Sequence, residues 1–220
     1  MILNTELNDI SYHQDQEKKH VFVYEDNNSS LENVFESIDR YIHQIEEKSS
    51  IVNSSIDKIL RKRVKGKINE YCLNLWNNST RETSLEDFHS IVAPDSHTIS
   101  NSLTQKLLDE GLCFQKNLDD ENETVQFTYD LVAGYAIASK VLLNNLTKPE
   151  EVKGALIELD IEKMLFNKET YHPLRQDILM SLLHLLPSKF GIQLFELFKN
   201  ESVLEEAYNN IDYFIDNPEG

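Results

Sequence analysis

Glycine and proline are scarce in this chain: its 220 residues include only 6 glycines and 5 prolines. Sandwiches and barrels made of strands need many tight turns, which these two residues usually make. Their scarcity therefore argues against such folds and favours helices. Hydrophobic residues make up 40% of the chain and charged residues 27%, which is the balance of an ordinary globular protein with a buried core.

Long apolar segments are also missing. No apolar run approaches the roughly 18 residues that a membrane-spanning helix needs, and residues 1–6 do not have the pattern of a signal peptide. We therefore expect a cytoplasmic protein with no membrane partner. The length is compatible with one large domain or about two to three small ones.

Cysteine is limited to Cys72 and Cys113. Cys72 lies on an apolar face of a predicted helix, and Cys113 begins a predicted strand. We expect both to be buried, reduced thiols. A metal site would need more cysteine or histidine at ligand spacing, and the 7 histidines are scattered.

The common catalytic and nucleotide-binding motifs are absent from the sequence. It has no phosphate-binding loop of the Gly-x-x-x-x-Gly-Lys-Ser/Thr type, no dinucleotide fingerprint and no His-Glu-x-x-His. It also has no nucleophile elbow and no Cys-x-x-Cys. We therefore expect the chain by itself to have no enzymatic activity and to bind no metal or cofactor.

Positive charge is in the minority, and the formal net charge is −17. Such a chain repels the phosphate backbone of nucleic acids. One basic run stands out, formed by Arg61, Lys62, Arg63, Lys65 and Lys67. It is either a solvated helix face that pairs with local carboxylates, or a contact for an anion or an acidic partner surface. A nuclear localisation signal is a third interpretation, which nothing else in the sequence supports.

Helical periodicity dominates the first half of the chain. Residues 1–28 form a polar arm, partly disordered or docked elsewhere, in which residues 21–24 are a candidate strand. Residues 29–83 predict a helical subdomain of two antiparallel helices, one from about Ser29 and one from Ser55 to about Trp76. Their apolar stripes consist of Val34, Ile38, Tyr41, Ile42 and Ile45, and of Ile56, Ile59, Leu60, Val64, Ile68, Cys72 and Leu75.

Residues 84–145 predict a module of helix, helix, β-hairpin and amphipathic helix, which is the element order of a winged helix. Ser84 is expected to cap the first helix. The second helix is expected over residues 98–110, followed by Gly111 in the left-handed conformation that ends many helices. Asp130 is expected to cap the helix after the hairpin, and residues 77–83 are expected to form a polar break before the module.

Residues 146–220 predict short helices joined by short turns, as in α-solenoids. Pro149 suits a first helical turn. Pro173 is expected to open a stronger helix that Pro187 ends, and Ser202 to cap a last one. The predicted fold class is therefore mainly α: a helical hairpin, a winged-helix module with a small β-hairpin, and α-solenoid-like helix pairs.

A winged helix raises the question of DNA binding, because the second helix of such modules enters the major groove. Here that helix carries one cation, Lys106, and ends in two acidic residues. Acidic side chains also follow at the predicted wing: Asp119, Asp120, Glu121 and Glu123. Acids repel phosphates. The pattern therefore favours a winged helix that is used for protein contacts.

The stretch from Phe127 to Ala138 carries a family resemblance. Phe127, Tyr135 and Ala138 fit a pattern that is frequent in NACHT-type winged helices. The module order also resembles the regulatory half of STAND-type NTPases, signalling ATPases that include NACHT proteins and bacterial anti-phage sensors. Within it, Ser30–Trp76 resembles the helical subdomain, Ser84–Leu143 the winged helix, and residues 171–179 and 186–194 the first repeats of the sensor.

The resemblance implies that ATP or ADP is bound by an upstream nucleotide-binding domain, which this chain lacks. We therefore expect an excised piece or a split protein. Tyr129 stands where the family often has a histidine that touches the nucleotide phosphate, and Gly134 stands where many relatives have glutamate. Tyr129 is thus the implied nucleotide contact, although a tyrosine cannot carry a positive charge near neutral pH.

Three hypotheses about function follow. The first is a non-catalytic regulatory segment of a STAND-like ATPase, in anti-phage defence or stress sensing, that relays nucleotide state to a helical sensor. Its partners would be a nucleotide-binding domain, in the same chain or a separate one, and other protein surfaces. The second is a stand-alone winged-helix regulator that binds DNA. The third is a helical protein–protein adaptor.

Overall fold

The secondary structure is mainly helical with a small antiparallel sheet, which confirms the predicted mainly α class with a small β-hairpin. A computed structural model describes residues 9–14, 20–25, 31–50, 57–117, 123–167 and 170–198. The strands are β1 (Asp9–Gln14), β2 (His20–Glu25), β3 (Glu82–Ser84), β4 (Cys113–Asn117) and β5 (Glu123–Phe127). The helices are α1 (Leu31–Ser50), α2 (Asp57–Asn77), α3 (Leu85–Val92), α4 (Leu103–Asp109), α5 (Asp130–Ile137), α6 (Pro149–Glu158), α7 (Arg175–Phe190) and α8 (Leu194–Leu197). Two π-turns span Ala138–Leu142 and Glu162–Phe166.

Strands β1 and β2 form an antiparallel hairpin in which Asp9 pairs with Glu25 and Gln14 with His20. The candidate strand at residues 21–24 is thereby confirmed. The rest of the polar arm and the expected helix start at Ser29 lie outside the described residues.

Helices α1 and α2 bury the apolar stripes that the sequence predicts, as far as their side chains are described. The α1 stripe from Ile38 to Ile45 is buried, and so is the α2 stripe from Val64 to Leu75. The second half of α2 is buried more widely than its stripe, because Tyr71 and Trp76 are also almost inaccessible. The Tyr71 hydroxyl donates a hydrogen bond to the carbonyl of Val125 (3.1 Å), which joins α2 to the sheet.

The sheet has three strands in the order β3-β5-β4, all antiparallel. Thr83 of β3 pairs with Val125 of β5, and Gln115 of β4 pairs with the same residue from the other side. The polar break expected over residues 77–83 is therefore partly wrong. A strand of three half-buried residues has no apolar alternation that a sequence pattern could detect.

Helices α3 and α4 form the helix pair of the module. The Ser84 hydroxyl accepts a hydrogen bond from the amide of Asp87, as a cap should (3.0 Å). Helix α4 is shorter than the predicted 98–110, because Asn101 adopts a left-handed conformation (φ 62°) and Ser102 caps the helix instead. Gly111 has φ 74°, which confirms its predicted role at the helix end.

Helix α5 is buried on every side rather than amphipathic. All residues from Val132 to Ala138 are buried, and the first π-turn continues the helix. The predicted cap was also wrong: Tyr129 occupies the capping position and Asp130 is the first helical residue.

The C-terminal helices begin as predicted at Pro149. Helix α7 begins at Arg175, and Pro187 lies inside it rather than ending it. The helix ends instead at Gly191, which adopts a left-handed backbone conformation (φ 66°). Its backbone N–H donates a hydrogen bond to the Pro187 carbonyl (3.0 Å), which closes the last turn. The helix predicted from Ser202 lies outside the described residues.

One hydrophobic cluster contains buried residues of α1, α2, the sheet module (strands β3 to β5 with α3 and α4), α5 and α6 to α8. Helix α5 makes extensive contacts with α7 and further contacts with α1, α2 and β5. The division at residues 29–83, 84–145 and 146–220 stays a prediction. Within the described ranges, every helix is too short or too polar to cross a lipid bilayer.

Candidate functional site

Tyr129 lies where the last strand of the sheet meets the start of α5. Its backbone is extended (φ −128°, ψ 132°), and its carbonyl accepts a hydrogen bond from the amide of Ala133 (3.0 Å). The side chain is 37% exposed and makes no capping bond. The phenol is therefore accessible to a partner molecule, and a contact with nucleotide stays a prediction.

An ion pair joins the start of α5 to the turn before β3. Arg81 Nη2 lies 2.8 Å from Asp130 Oδ1, and both side chains are partly exposed. This pairing explains why Asp130 does not cap the helix, since its carboxylate is directed to a guanidinium 49 residues away in the chain. An exposed pair contributes about 0–1 kcal/mol to stability, so its main effect is to fix the position of the strand-to-helix turn.

Asp177, the third residue of α7, adds a second carboxylate to this region. Its pKa is raised from the ordinary 3.8 to about 6, mainly by burial and next by the negative charge of Asp130; its own backbone amide and Arg81 act in the opposite direction. Above pH about 6, the negative charges of Asp130 and Asp177 therefore both lie near the positive charge of Arg81, which pairs directly with Asp130. We call these residues, Arg81, Asp130, Asp177 and Gly134, the α5–α7 seam.

Gly134 belongs to the seam because it lets the two helices touch through their backbones. A Cβ atom at this position would lie 2.5 Å from the Asp177 carbonyl carbon and 2.8 Å from its oxygen. No side chain fits there unless α7 moves away. Gly134, which the sequence resemblance aligns with a glutamate of STAND proteins, is thus a packing position in this chain.

The basic run lies on the first half of α2. The side chains of Arg61, Lys62 and Arg63 lie outside the described residues. Lys65 is exposed, while Lys67 pairs with Glu70 one turn later (2.6 Å). Lys65 and Trp76 are about 16 Å apart along the helix axis at 1.5 Å per residue, and Arg81 follows shortly after the far end. The structure therefore does not bring the basic run and Tyr129 together.

The helix that would enter a DNA groove, α4, presents little positive charge. Gln105 donates a hydrogen bond to Asp109 on its exposed face (2.7 Å), and Lys106 is its one cation. The carbonyl of Glu110, just after the helix, accepts a long hydrogen bond from the Tyr41 hydroxyl of α1 (3.4 Å). The tip of the predicted wing, residues 118–122, lies outside the described residues.

His172 is a buried polar residue that the sequence did not single out. Its side chain is inaccessible, and its ring Nε2 lies 3.1 Å from the carbonyl oxygen of Leu75, 97 residues earlier. The amide of Leu174 donates to ring Nδ1 (3.0 Å). A local sequence signal for such a contact does not exist, because one partner is a main-chain carbonyl of a distant helix.

The sequence also gives no sign of a buried ion pair, because its two partners lie on distant elements. Lys140 Nζ, in the first π-turn, lies 2.7 Å from Glu46 Oε1 of α1, and the two side chains are only 12% and 8% exposed. The partners are 94 residues apart. Each looks like an ordinary charged residue in the sequence.

The expected thiols are confirmed: Cys72 and Cys113 are buried and unpaired. Burial raises the pKa of Cys72 to about 12, and burial also raises the pKa of Cys113. Thiols in this state are poor nucleophiles. In the described part of the chain, no three His, Cys, Asp or Glu side chains are placed to hold a metal ion.

An open groove of ≈ 620 Å³ lies at the end of α6 and the second π-turn. Its lining includes the apolar residues Ile157, Ile161 and Phe166 together with charged Asp160, Glu162 and Lys163. It contains none of the residues that the sequence proposed for a site.

Comparison with other proteins adds no assignment. No model of a protein family matches the chain, and no curated protein matches it either.

Proposed function

We propose that the chain is a non-catalytic regulatory segment of a STAND-like signalling ATPase that acts in the cytoplasm. In this proposal a separate nucleotide-binding domain holds ATP or ADP, and the chain passes its nucleotide state to the C-terminal helices. The observation that carries the proposal is the way one module, α2 to β5, is built into a larger helical core.

The order of elements in this module supports a winged helix. Helix α2, strand β3, helices α3 and α4, and strands β4 and β5 follow one another, and the sheet order is β3-β5-β4. A winged helix has the same order, with its first strand beside its last. His89 holds α3 against α4, since its ring nitrogens contact Thr104 Oγ1 (2.7 Å) and the carbonyl oxygen of Ser96 (3.0 Å).

Charge and packing favour protein contacts for this module over DNA contacts. Phosphate contacts need Lys or Arg on the helix that faces the groove, and α4 offers only Lys106. Helix α4 also packs against α1, which flanks the module on the side of Glu110. A protein with net charge −17 would in addition be repelled by duplex DNA.

Tyr129 and the α5–α7 seam form the surface that we assign to the nucleotide-binding domain. The phenol is accessible, and the seam, which begins at the next residue, Asp130, connects the start of α5 to the start of α7. A contact made at Tyr129 would therefore act directly on the region where the sheet module meets the C-terminal helices. Closure and release of such a contact is a recognised mechanism of switching.

The test is to mix the purified chain with a P-loop ATPase domain encoded in the same gene or beside it. Association is measured by calorimetry with ADP and with a non-hydrolysable ATP analogue. We expect a Kd that differs between the two nucleotides, about tenfold or more, which corresponds to about 1.4 kcal/mol of coupling. Absence of association with both nucleotides would refute the proposal.

Variants at the exposed tyrosines locate the contact. Tyr129→Ala should abolish the difference between nucleotides, while Tyr129→Phe tests the contribution of the hydroxyl. Tyr171→Ala is the matched control, because Tyr171 is similarly exposed (46%) but stacks with Arg175 instead. Salt-dependent binding of the chain to duplex DNA at low ionic strength would favour the DNA-binding alternative.

A further inference from the structure

The hydrogen bonds of His172 fix its ring in one protonation state. A carbonyl can only accept, so Nε2 must donate its proton to the oxygen of Leu75. A backbone amide can only donate, so Nδ1 must accept from Leu174. The imidazole is therefore neutral, with its proton on Nε2, and both ring nitrogens are used.

The backbone and the ring of His172 together connect three elements of the fold. The backbone amide of His172 donates to the carbonyl of Met164 in the second π-turn (2.7 Å), and its carbonyl accepts from the amide of Arg175 at the start of α7 (3.0 Å). The ring itself stacks on Trp76 near the end of α2, with 5.5 Å between centroids and an interplanar angle of 19°. His172 thus joins α2 to the start of α7 at a point that water does not reach.

A second proton on the ring is incompatible with this arrangement. It would place an N–H on Nδ1 opposite the N–H of Leu174, and it would put a positive charge in a buried position. Burial lowers the pKa of His172, while the bond to the Leu75 carbonyl raises it. No charged side chain contributes to the shift. On each packed element, the titratable or charged residues nearest in sequence to the contact with His172 are Cys72 on α2, Glu162 and Lys163 in the π-turn, and Arg175 and Asp177 on α7.

We propose that His172 is a proton-operated latch, whose protonation releases the start of α7 from the end of α2. In the latched state the start of α7 is fixed to the end of α2 through the Leu75 carbonyl and Trp76. In the released state α7 can move relative to α2. The inference goes beyond the proposed function and does not depend on it, because it concerns the intrinsic response of this chain to acid.

The direction of the pH effect follows from the lowered pKa. The latched state keeps its full stability above the ordinary histidine pKa of about 6.5 and loses it as pH falls through the latched-state value. Between these two values, the population of the released state should rise by up to about tenfold for each pH unit.

The experiment compares wild type with His172→Gln, whose amide can still donate to Leu75 but does not titrate. Hydrogen exchange of residues 175–190, corrected for the intrinsic pH dependence of exchange, is measured between pH about 7.5 and about 5. Fluorescence is read on the same samples, because Trp76 is the 1 tryptophan of the chain and stacks on His172. Both proteins are also measured with Asp177→Asn, because the pKa of Asp177, raised to about 6, falls within this range.

We expect exchange in α7 and the fluorescence of Trp76 to change together in wild type, with an increase in exchange of about tenfold or more, and to stay flat in His172→Gln. An equal acid response in both proteins, or none in wild type, would overturn the latch. If the variant fails to fold, NMR of the wild-type imidazole nitrogens decides the question. Titration of His172 without any change in α7 exchange would then refute the proposal.

Discussion

Gly134 shows how one missing side chain sets the distance between two helices. The Cβ of any other residue would overlap the main chain of Asp177, which cannot rotate away as a flexible side chain can. Relief would require a shift of α7, and α7 is packed against α5, the first π-turn and α1. The cost of a methyl group here is therefore a cost to the packing of the whole helix.

Gly134→Ala should destabilise the protein by about 1–3 kcal/mol, because overpacking exceeds the gain in helix propensity. Gly154→Ala is the matched control: Gly154 also lies inside a helix, but a Cβ there would meet nothing within 4 Å. The control should be neutral or stabilising by up to about 1 kcal/mol. Urea unfolding midpoints measure both changes, and equal midpoints for the two variants would contradict the close approach.

Asp177 should make the protein less stable as pH rises through its raised pKa. A carboxyl whose folded pKa exceeds its unfolded value stabilises the fold fully below the ordinary 3.8, and this contribution is lost as pH rises to about 6 and beyond. Asp177→Asn should therefore stabilise the protein at pH about 7 by an amount on the order of 1–2 kcal/mol and have little effect at pH about 4.

Urea unfolding at the two pH values measures this difference. Asp95→Asn is the control, since it makes the same substitution at an exposed aspartate after α3. A stabilising effect of Asp177→Asn that is the same at both pH values would argue against an ionised, poorly solvated Asp177.

At the scale of elements, the sequence predicted correctly those helix starts and ends that depend only on neighbouring residues. Ser84, Gly111 and Pro149 take the roles expected of them, because capping, a positive φ and a first-turn proline involve only a few neighbouring residues. Burial of α5 was not predicted. Its residues after Asp130 are small or apolar on every face. One face packs on α2, and the opposite face is buried only because α7 packs against it.

The candidate site also has one part that the sequence predicts and another that it does not. The place of Tyr129 between a strand and a helix could be predicted from alternation followed by helical periodicity. Its neighbours could not, because Arg81 reaches Asp130 across 49 residues, and Asp177 comes from a helix with no sequence link to the sheet. Ion pairs between distant elements leave no spacing pattern in a chain with 38 acidic residues.

The buried pair of Glu46 and Lys140 should be a strong link between α1 and the first π-turn. Removing one partner takes the closest opposite charge away from a buried ion, so Glu46→Gln or Lys140→Met should each cost about 3–5 kcal/mol. The double variant should be destabilised by clearly less than the sum. A double-mutant cycle by urea unfolding measures the coupling energy between the two side chains.

The exposed pair of Lys67 and Glu70 provides the control cycle for this measurement. These residues are one turn apart on α2 and more accessible (26% and 55%), so their coupling should be no more than about 0.5 kcal/mol. A coupling of similar size in the two cycles would show that Glu46 and Lys140 are not buried against each other.

At the scale of the whole molecule, the three segments that the sequence predicts as separate units pack into one core. Buried residues of the helical pair, the sheet module and the C-terminal helices belong to one cluster. Polar contacts cross the expected boundaries, among them Glu46 to Lys140, Leu75 to His172, and Arg81 to Asp130. Shared burial of this kind couples the stability of the segments, since none can unfold without exposing the apolar surface of another.

We therefore expect residues 31–198 to unfold in one cooperative transition. Trp76 fluorescence reports the end of α2, and far-UV circular dichroism reports all helices, so the two urea curves should have the same midpoint. His172→Gln and Gly134→Ala weaken the links to α7 specifically and should be the first variants in which the curves separate. A wild-type dichroism curve with an earlier step, before any change at Trp76, would mean that the C-terminal helices unfold alone. That result would support the predicted boundary at residue 145 and would contradict a single cooperative core.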